Sequence, residues 1–270
     1  PPDEPPGETA DRLLFFDDFS GPALDRSRWN VVVTGQWVNN EQQAYVDDST
    51  TIYLVRGEAA AGAENGALVL QARPRKGFRT AEGRSFDFVS GRINTRDRFS
   101  FAFARASARM RLPAGSGFWP AFWILGSGDW PATGEIDVME NVGEPDWVSS
   151  AMHGPAYSGD TPIVHRQTLP EGQDITGWHI YAVDWTPTEL IFSVDGIEHY
   201  RVTKEMVQRY GPWAFDQPKF LILNLALGGA YPQGVNHVSD PYPGLPASTV
   251  QRIEAGQGKV LVDWVRVETR

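Results

Sequence analysis

Period-two alternation of apolar and polar side chains, together with short apolar runs, dominates this chain, each run cut off by clusters of Gly, Pro, Asn and Asp. Successive side chains on an extended backbone point to opposite faces, so such runs are half-buried strands. Many of them in series, with turn residues between, build an all-β sandwich or barrel. The segments RLLFFDDF (12–19), ALVLQAR (67–73), FSFAFARASARMRL (99–112), FWPAFWIL (118–125) and EIDVMEN (135–141) read as strands. VSSAMHG (148–154), HIYAVDW (179–185), ELIFSVDG (189–196), KFLILNLALGG (219–229) and KVLVDWVRVE (259–268) read the same way. Asp195-Gly196, between two alternating runs, predicts a tight hairpin turn. Only KEMVQRYG (204–211) predicts a helix, of about two turns. No repeat of 20–50 residues is visible, which argues against propellers and solenoids. An extended tail over 1–11 followed by one domain over 12–270 is the expected organisation.

Hydrophobic residues make up 41% of the 270, enough for a sizeable core. The 27 Gly and 20 Pro follow no period, so they mark turns rather than collagen. A net charge of −10 argues against nucleic acid, since nothing neutralises phosphates, and suits a neutral partner such as a sugar polymer. The chain has no Cys, which excludes disulfides and thiolate metal sites. No apolar run reaches the ~20 residues of a membrane span. The opening PPDEPPGETAD reads equally as a tail left after removal of a signal peptide, hence a secreted protein, or as a native disordered N-terminus. Nothing in the sequence asks for more than a monomer.

The chemistry concentrates in WPATGEIDVMEN, residues 130–141. On a strand Glu135 and Asp137 share a face, while simple alternation turns Glu140 away. A β-bulge absorbing one residue near Val138 or Met139 returns Glu140 to that face. Three acids then line one wall, and crowding forces at least one to keep its proton, as a general acid must. A retaining glycosidase needs two carboxyls ~5–5.5 Å apart, a spacing one bulged strand can supply; an inverting enzyme needs a wider gap. Solvent-facing acids on an edge strand, or an oxygen-ligand cation site completed by loops, are the other readings of the triplet. Phe118, Trp119, Trp123 and Trp130 immediately upstream favour a sugar site, because flat C–H faces of sugars lie against aromatic planes.

GEIDVMENVG resembles the active-site signature of glycoside hydrolase family 16, in the bulged E-x-D-x-x-E form of its laminarinase-like branch. FDDFSGPALDRSRW (16–29), WVNNEQQAY (37–45), GRINT (91–95), GFWPAFWILG (117–126), MHGPAYSG (152–159), YAVDWTPTELIFSVDG (181–196), LNLALGG (223–229) and LVDWVRV (261–267) follow in family order. The resemblance implies a β-jelly-roll of two curved antiparallel sheets with a substrate cleft on the concave face. It implies a retaining endo-hydrolase of 1,3-β-glucosidic bonds, with Glu135 as nucleophile, Glu140 as acid/base and Asp137 tuning the pair. His153 matches the family histidine near the cleavage point. Trp119, Trp123 and Trp130 match subsite aromatics, and Asn39 and Arg92 match polar sugar contacts. No catalytic cofactor is implied. A structural Ca²⁺ bound by Asp18, the Gly66 carbonyl and Asp263 is.

Departures from the family pattern are few. Ser107 stands where relatives carry an acid, Gln42 alters the usual N-N-E-L-Q, and the Pro-rich stretch from Tyr231 to Thr249 has no readable role. A hydrolase of mixed-linkage glucan, galactan or agar, or a non-catalytic β-glucan-binding protein, are the alternatives on the same scaffold.

Overall fold

The computed structural model describes residues 11–33 and 37–269, so most of the expected tail, 1–10, lies outside the described residues. In chain order the strands are β1 (Leu13–Asp17), β2 (Asn30–Val31), β3 (Gln43–Tyr45), β4 (Ile52–Val55), β5 (Ala67–Gln71) and β6 (Arg73–Arg79). Then come β7 (Ser85–Ser90), β8 (Arg92–Asn94), β9 (Arg105–Arg111), β10 (Phe118–Gly126), β11 (Glu135–Glu140) and β12 (Trp147–His153). The last six are β13 (Ile163–Thr168), β14 (His179–Trp185), β15 (Glu189–Val194), β16 (Ile197–Thr203), β17 (Lys219–Leu227) and β18 (Lys259–Glu268).

Two large antiparallel sheets result. One runs β16-β15-β14-β9-β18-β5-β4, with β1 also paired to β18; the other runs β13-β12-β11-β10-β17-β8-β2. Period-two patterning decides what lies between them. Leu68, Leu70, Ala106, Ala108, Met110, Val260 and Val262 from the first sheet meet Phe118, Phe122, Ile136, Leu221, Leu223 and Leu225 from the second in one buried cluster. Face-to-face packing of this kind buries alternate residues of each strand and leaves the others for the outer faces. On β17 that leaves Asn224 on the outer face, opposite Ala121 of β10. The second sheet is the one that carries the acids.

Asp195 and Gly196 both have positive φ, 51° and 79°, and close the expected β15–β16 hairpin. The expected single helix is present as Lys204–Gln208, with Thr203 Oγ1 accepting from the Met206 amide as N-cap. Two further helices were not expected, Ala230–Asn236 and Ala247–Glu254. The first falls at the start of the Pro-rich stretch and the second begins at its end, and Pro232 and Pro246 sit at or before the first helical turn and disguise the period. The run expected as one strand over 99–112 is extended only from Arg105. Phe103 upstream takes φ 55°, and Phe101 bridges to Lys219 instead.

Candidate active site

The strand β11 contains the bulge. Asp137 pairs with Ala151 and Glu140 with Ser149, so Val138 and Met139 together oppose the single residue Ser150. On the other side the register also slips, Trp123 facing Asp137 and Phe122 facing Met139. Val138 and Met139 are both in the core, two consecutive inward side chains that simple alternation forbids. The extra residue is not left with an orphan carbonyl, because Ser150 Oγ donates to Val138 O at 2.9 Å. Glu135, Asp137 and Glu140 consequently share the outer face of the sheet.

Each glutamate is held by a tryptophan. Trp130 Nε1 donates to Glu135 Oε2 at 2.7 Å, and Trp119 Nε1 donates to Glu140 Oε1 at 2.8 Å. Asp137, only 3% exposed, lies between them, sharing a hydrogen bond with Glu135 and lying 3.3 Å from His153 Nε2. His153 is opposite Glu135 in the neighbouring strand, and its ring is 6.0 Å from that of Trp130.

Burial and mutual repulsion raise all three carboxyls. Glu135 is pushed up to about 8 by loss of solvent, then by the Asp137 charge, with His153 and the Trp130 N–H working the other way. Burial pushes Glu140 up to about 7 against the pull of Trp119 and His153. Asp137 rises well above the carboxylate range through burial and the Glu140 charge. Two like charges this close are not both ionised, and the more deeply buried partner keeps the proton more tightly. The hydrogen bond between Glu135 and Asp137 raises Glu135 and lowers Asp137, so the pair shares one retained proton beside the indole N–H that Glu135 accepts.

To one side of the acids, Trp123 Nε1 donates to Asn224 Oδ1 at 2.7 Å, and Asn224 Nδ2 donates to the Tyr45 hydroxyl at 3.1 Å. The Arg92 guanidinium stacks 4.8 Å from the Trp123 ring centre. Asn39, in the left-handed region at φ 52°, donates to Glu41 Oε1 at 3.3 Å, and Gln43 donates to Glu41 Oε2 at 2.7 Å. Burial raises Glu41, while Gln43 and Arg92 oppose the rise, and its charge reaches Glu140. Near Glu140, the Tyr231 ring packs edge-on to Trp119 at 5.5 Å, and its hydroxyl lies 3.1 Å from Ser149 Oγ. The three acids, Trp119, Trp123, Trp130, His153, Asn39 and Arg92 therefore belong to one connected network on this face, whereas Phe118, expected beside them, alternates inward and is fully buried in the core.

A family model for glycosyl hydrolases family 16 matches residues 33–266. The chain belongs to that family. It is 35% identical to a β-glucanase of Rhodothermus marinus over 94% of this chain and 84% of that one. It is 34% identical to glucan endo-1,3-β-glucosidase A1 of Niallia circulans over 82% of this chain, but spans only 34% of that longer protein. The solved endo-β-1,3-glucanase of Pyrococcus furiosus superposes with a TM-score of 0.82 at 33% identity, covering 96% of this chain and 94% of that one. The jelly-roll sandwich implied by the sequence resemblance is the fold of this family-16 chain.

Glu41, Gln43, Tyr45, Asn224 and Tyr231 were missed as site residues. Glu41, Gln43 and Tyr45 stand in the quoted WVNNEQQAY block beside Asn39, and Asn224 in LNLALGG, so those motifs held the signal. Tyr231 had none, because only the chain path brings Ala230–Asn236 to Trp119; the Ala230 amide donates to the Asn39 carbonyl at 2.7 Å.

The residues expected to hold Ca²⁺ sit on the opposite sheet and its flanking loops. Asp18 Oδ2 accepts from Asn65 Nδ2 at 3.0 Å, and Asp263 Oδ1 accepts from the Glu64 amide at 2.9 Å, so the 64–66 segment joins both acids next to Gly66. Hard oxygen donors are the right type for Ca²⁺. Asp263 is fully buried and already paired with the Arg109 guanidinium, so a cation there would share its carboxylate with Arg109. A second acidic group is Glu135, Asp137 and His153, whose ligand atoms lie within 4.8 Å of one another. A shared proton satisfies that spacing as well as an ion does.

Proposed function

We propose that this chain is a retaining endo-hydrolase of 1,3-β-glucosidic bonds. The carrying observation is the bulge at Val138–Met139, which sets Glu135 and Glu140 on one face with Asp137 between them. In the first step Glu140 protonates the glycosidic oxygen while Glu135 attacks the anomeric carbon, forming a covalent glycosyl-enzyme. Glu140, now ionised, removes a proton from water, which displaces Glu135 and releases sugar of the original configuration. Asp137 takes the proton it shares with Glu135, so the nucleophile attacks as an anion. Trp119, Trp123 and Trp130 supply the faces on which glucosyl rings lie, and Asn39 and Arg92 grip hydroxyls beyond Trp123. An endo-acting enzyme on a polymer works where the polymer lies, so secretion as a monomer completes the reading.

Incubation with laminarin, lichenan, agarose and xyloglucan, followed by sizing of products, tests it. Mixed-length oligosaccharides from laminarin are expected; cleavage of agarose alone would overturn the linkage, and cleavage of none would overturn the activity. The Trp119 N–H stabilises the ionised form of Glu140, so Trp119→Phe should raise the acid's pKa. A hydrogen bond to a charged group is worth about 1.5–3 kcal/mol, so the alkaline limb of kcat/KM should move up by about one to two pH units. A limb that stays in place would remove Trp119 from that role.

Asp18, Asp263 and the Gly66 carbonyl would hold a structural Ca²⁺, which takes no part in the chemistry. Chelated protein given Ca²⁺ at 100 times its Kd should gain about 5–10 °C in Tm without change in kcat. An unchanged Tm would mean that Arg109 alone balances Asp263.

A further inference from the structure

Lys219 opens β17 opposite Gly126 of β10, and none of its surface reaches solvent. Its Nζ donates to two backbone carbonyls, those of Thr133 and of Ala214, the latter at 3.1 Å. The rings of Trp185 and Phe215 each lie 5.6 Å from the ammonium. The nearby Asp216 carboxylate is bound to Trp213 Nε1 and Lys204 Nζ. A fully buried ammonium met by carbonyl dipoles and ring faces is expensive, and burial draws its pKa down to about 8. An apolar side chain would pack there at lower cost, so the position must be judged by what the ammonium holds.

It holds the loop that carries Trp130. Thr133 lies between Trp130 and Glu135, the pair joined by the indole hydrogen bond. Within that loop the backbone bonds are local: Thr133 N to Asp129 O at 3.2 Å, Gly134 N to Pro131 O at 3.0 Å and Gly126 N to Gly134 O at 3.2 Å. Trp130 is 50% exposed, so packing does not fix its ring. Gly134 backs so closely on the 211–218 segment that an added Cβ would sit 2.2 Å from Ala214 O, at a φ of 71°. Lys219 clamps the two segments at that contact.

We infer that Lys219 is a positioning residue of the active site: it pins the 127–134 loop to the 211–218 segment and thereby sets where Trp130 holds Glu135. The kinetic part rests on the glucanase reading; the mechanical part does not. Lys219→Met keeps the volume and removes the donors. Its kcat/KM on laminarin should fall on the order of tenfold, mostly in kcat, because the loss is in geometry rather than in sugar contact. In a Trp130→Phe background the same substitution should change kcat/KM less than about twofold, since the two residues act in series. Equal losses in both backgrounds, or a folded Lys219→Met within twofold of wild type, would overturn the inference. If Lys219→Met does not fold, Lys219→Gln, which keeps an N–H donor group without the charge, goes through the same two backgrounds. Amide exchange over 127–135 needs no substrate and should quicken at least tenfold in the variant. Unchanged exchange would sink the clamp, whereas quickened exchange in a protein inactive on laminarin would sink only the glucanase reading.

Discussion

Glu135→Gln should lower laminarin hydrolysis by on the order of 10⁴-fold or more, and should make the protein more stable at pH 8. Gln keeps the volume and an oxygen for the Trp130 N–H, so the local geometry survives. What disappears is the anion that bonds to the anomeric carbon, and with it the covalent intermediate. The stability gain follows from linkage. In the fold Glu135 is raised to about 8, chiefly by burial and then by Asp137, whereas an unfolded Glu titrates near ~4.3. Because Glu135 and Asp137 share one retained proton, the folded pair holds a proton that the unfolded carboxyls release first, and the wild type loses stability as pH rises between those two values. A neutral Gln is exempt. Calorimetric scans should show little difference between the proteins near pH 4 and a higher Tm for the variant at pH 8. Substantial residual turnover would remove Glu135 from the nucleophile's role, and a variant less stable than wild type at pH 8 would contradict the crowding described for these acids.

Glu140→Ala should cost about 10²–10⁴-fold in hydrolysis, the usual worth of a general acid/base. The loss should be smaller for an aryl glycoside whose leaving group needs no proton. Removing the side chain also leaves space, so azide, which needs no base, can attack the glycosyl-enzyme in place of water. Turnover should recover, with a β-glycosyl azide as product. Recovery with an α-azide would mean a single displacement and would refute retention. No recovery, with the aryl substrate hit as hard as laminarin, would assign the proton to another group. Asp137 is the obvious candidate, since it is also raised, but its 3% exposure leaves it less access to a leaving-group oxygen.

Most of the fold was legible because it depends on local periodicity. The ten segments read as alternating or short apolar runs all contain strands, and the Asp195-Gly196 turn needs only two residues with positive φ. Short strands such as Gln43–Tyr45 and Arg92–Asn94 were not legible, since three residues carry no period. Helix Ala230–Asn236 was hidden for a similar reason, being short and containing Pro232 and Gly234.

By itself the sequence determined the residue types at the site: three acids on one strand, tryptophans beside them, and a family order of motifs that names the scaffold. The bulge could be stated only as a condition, because nothing local to Val138 or Met139 says which will break the alternation. The tertiary structure decided it: the core accepts both side chains, and Ser150 from the next strand satisfies the carbonyl that the extra residue frees. Pairing of distant segments likewise put Tyr231 against Trp119 and Lys219 beneath Thr133. A strand's faces follow from its own sequence, but a side chain's neighbours across strands and loops are set by register and packing.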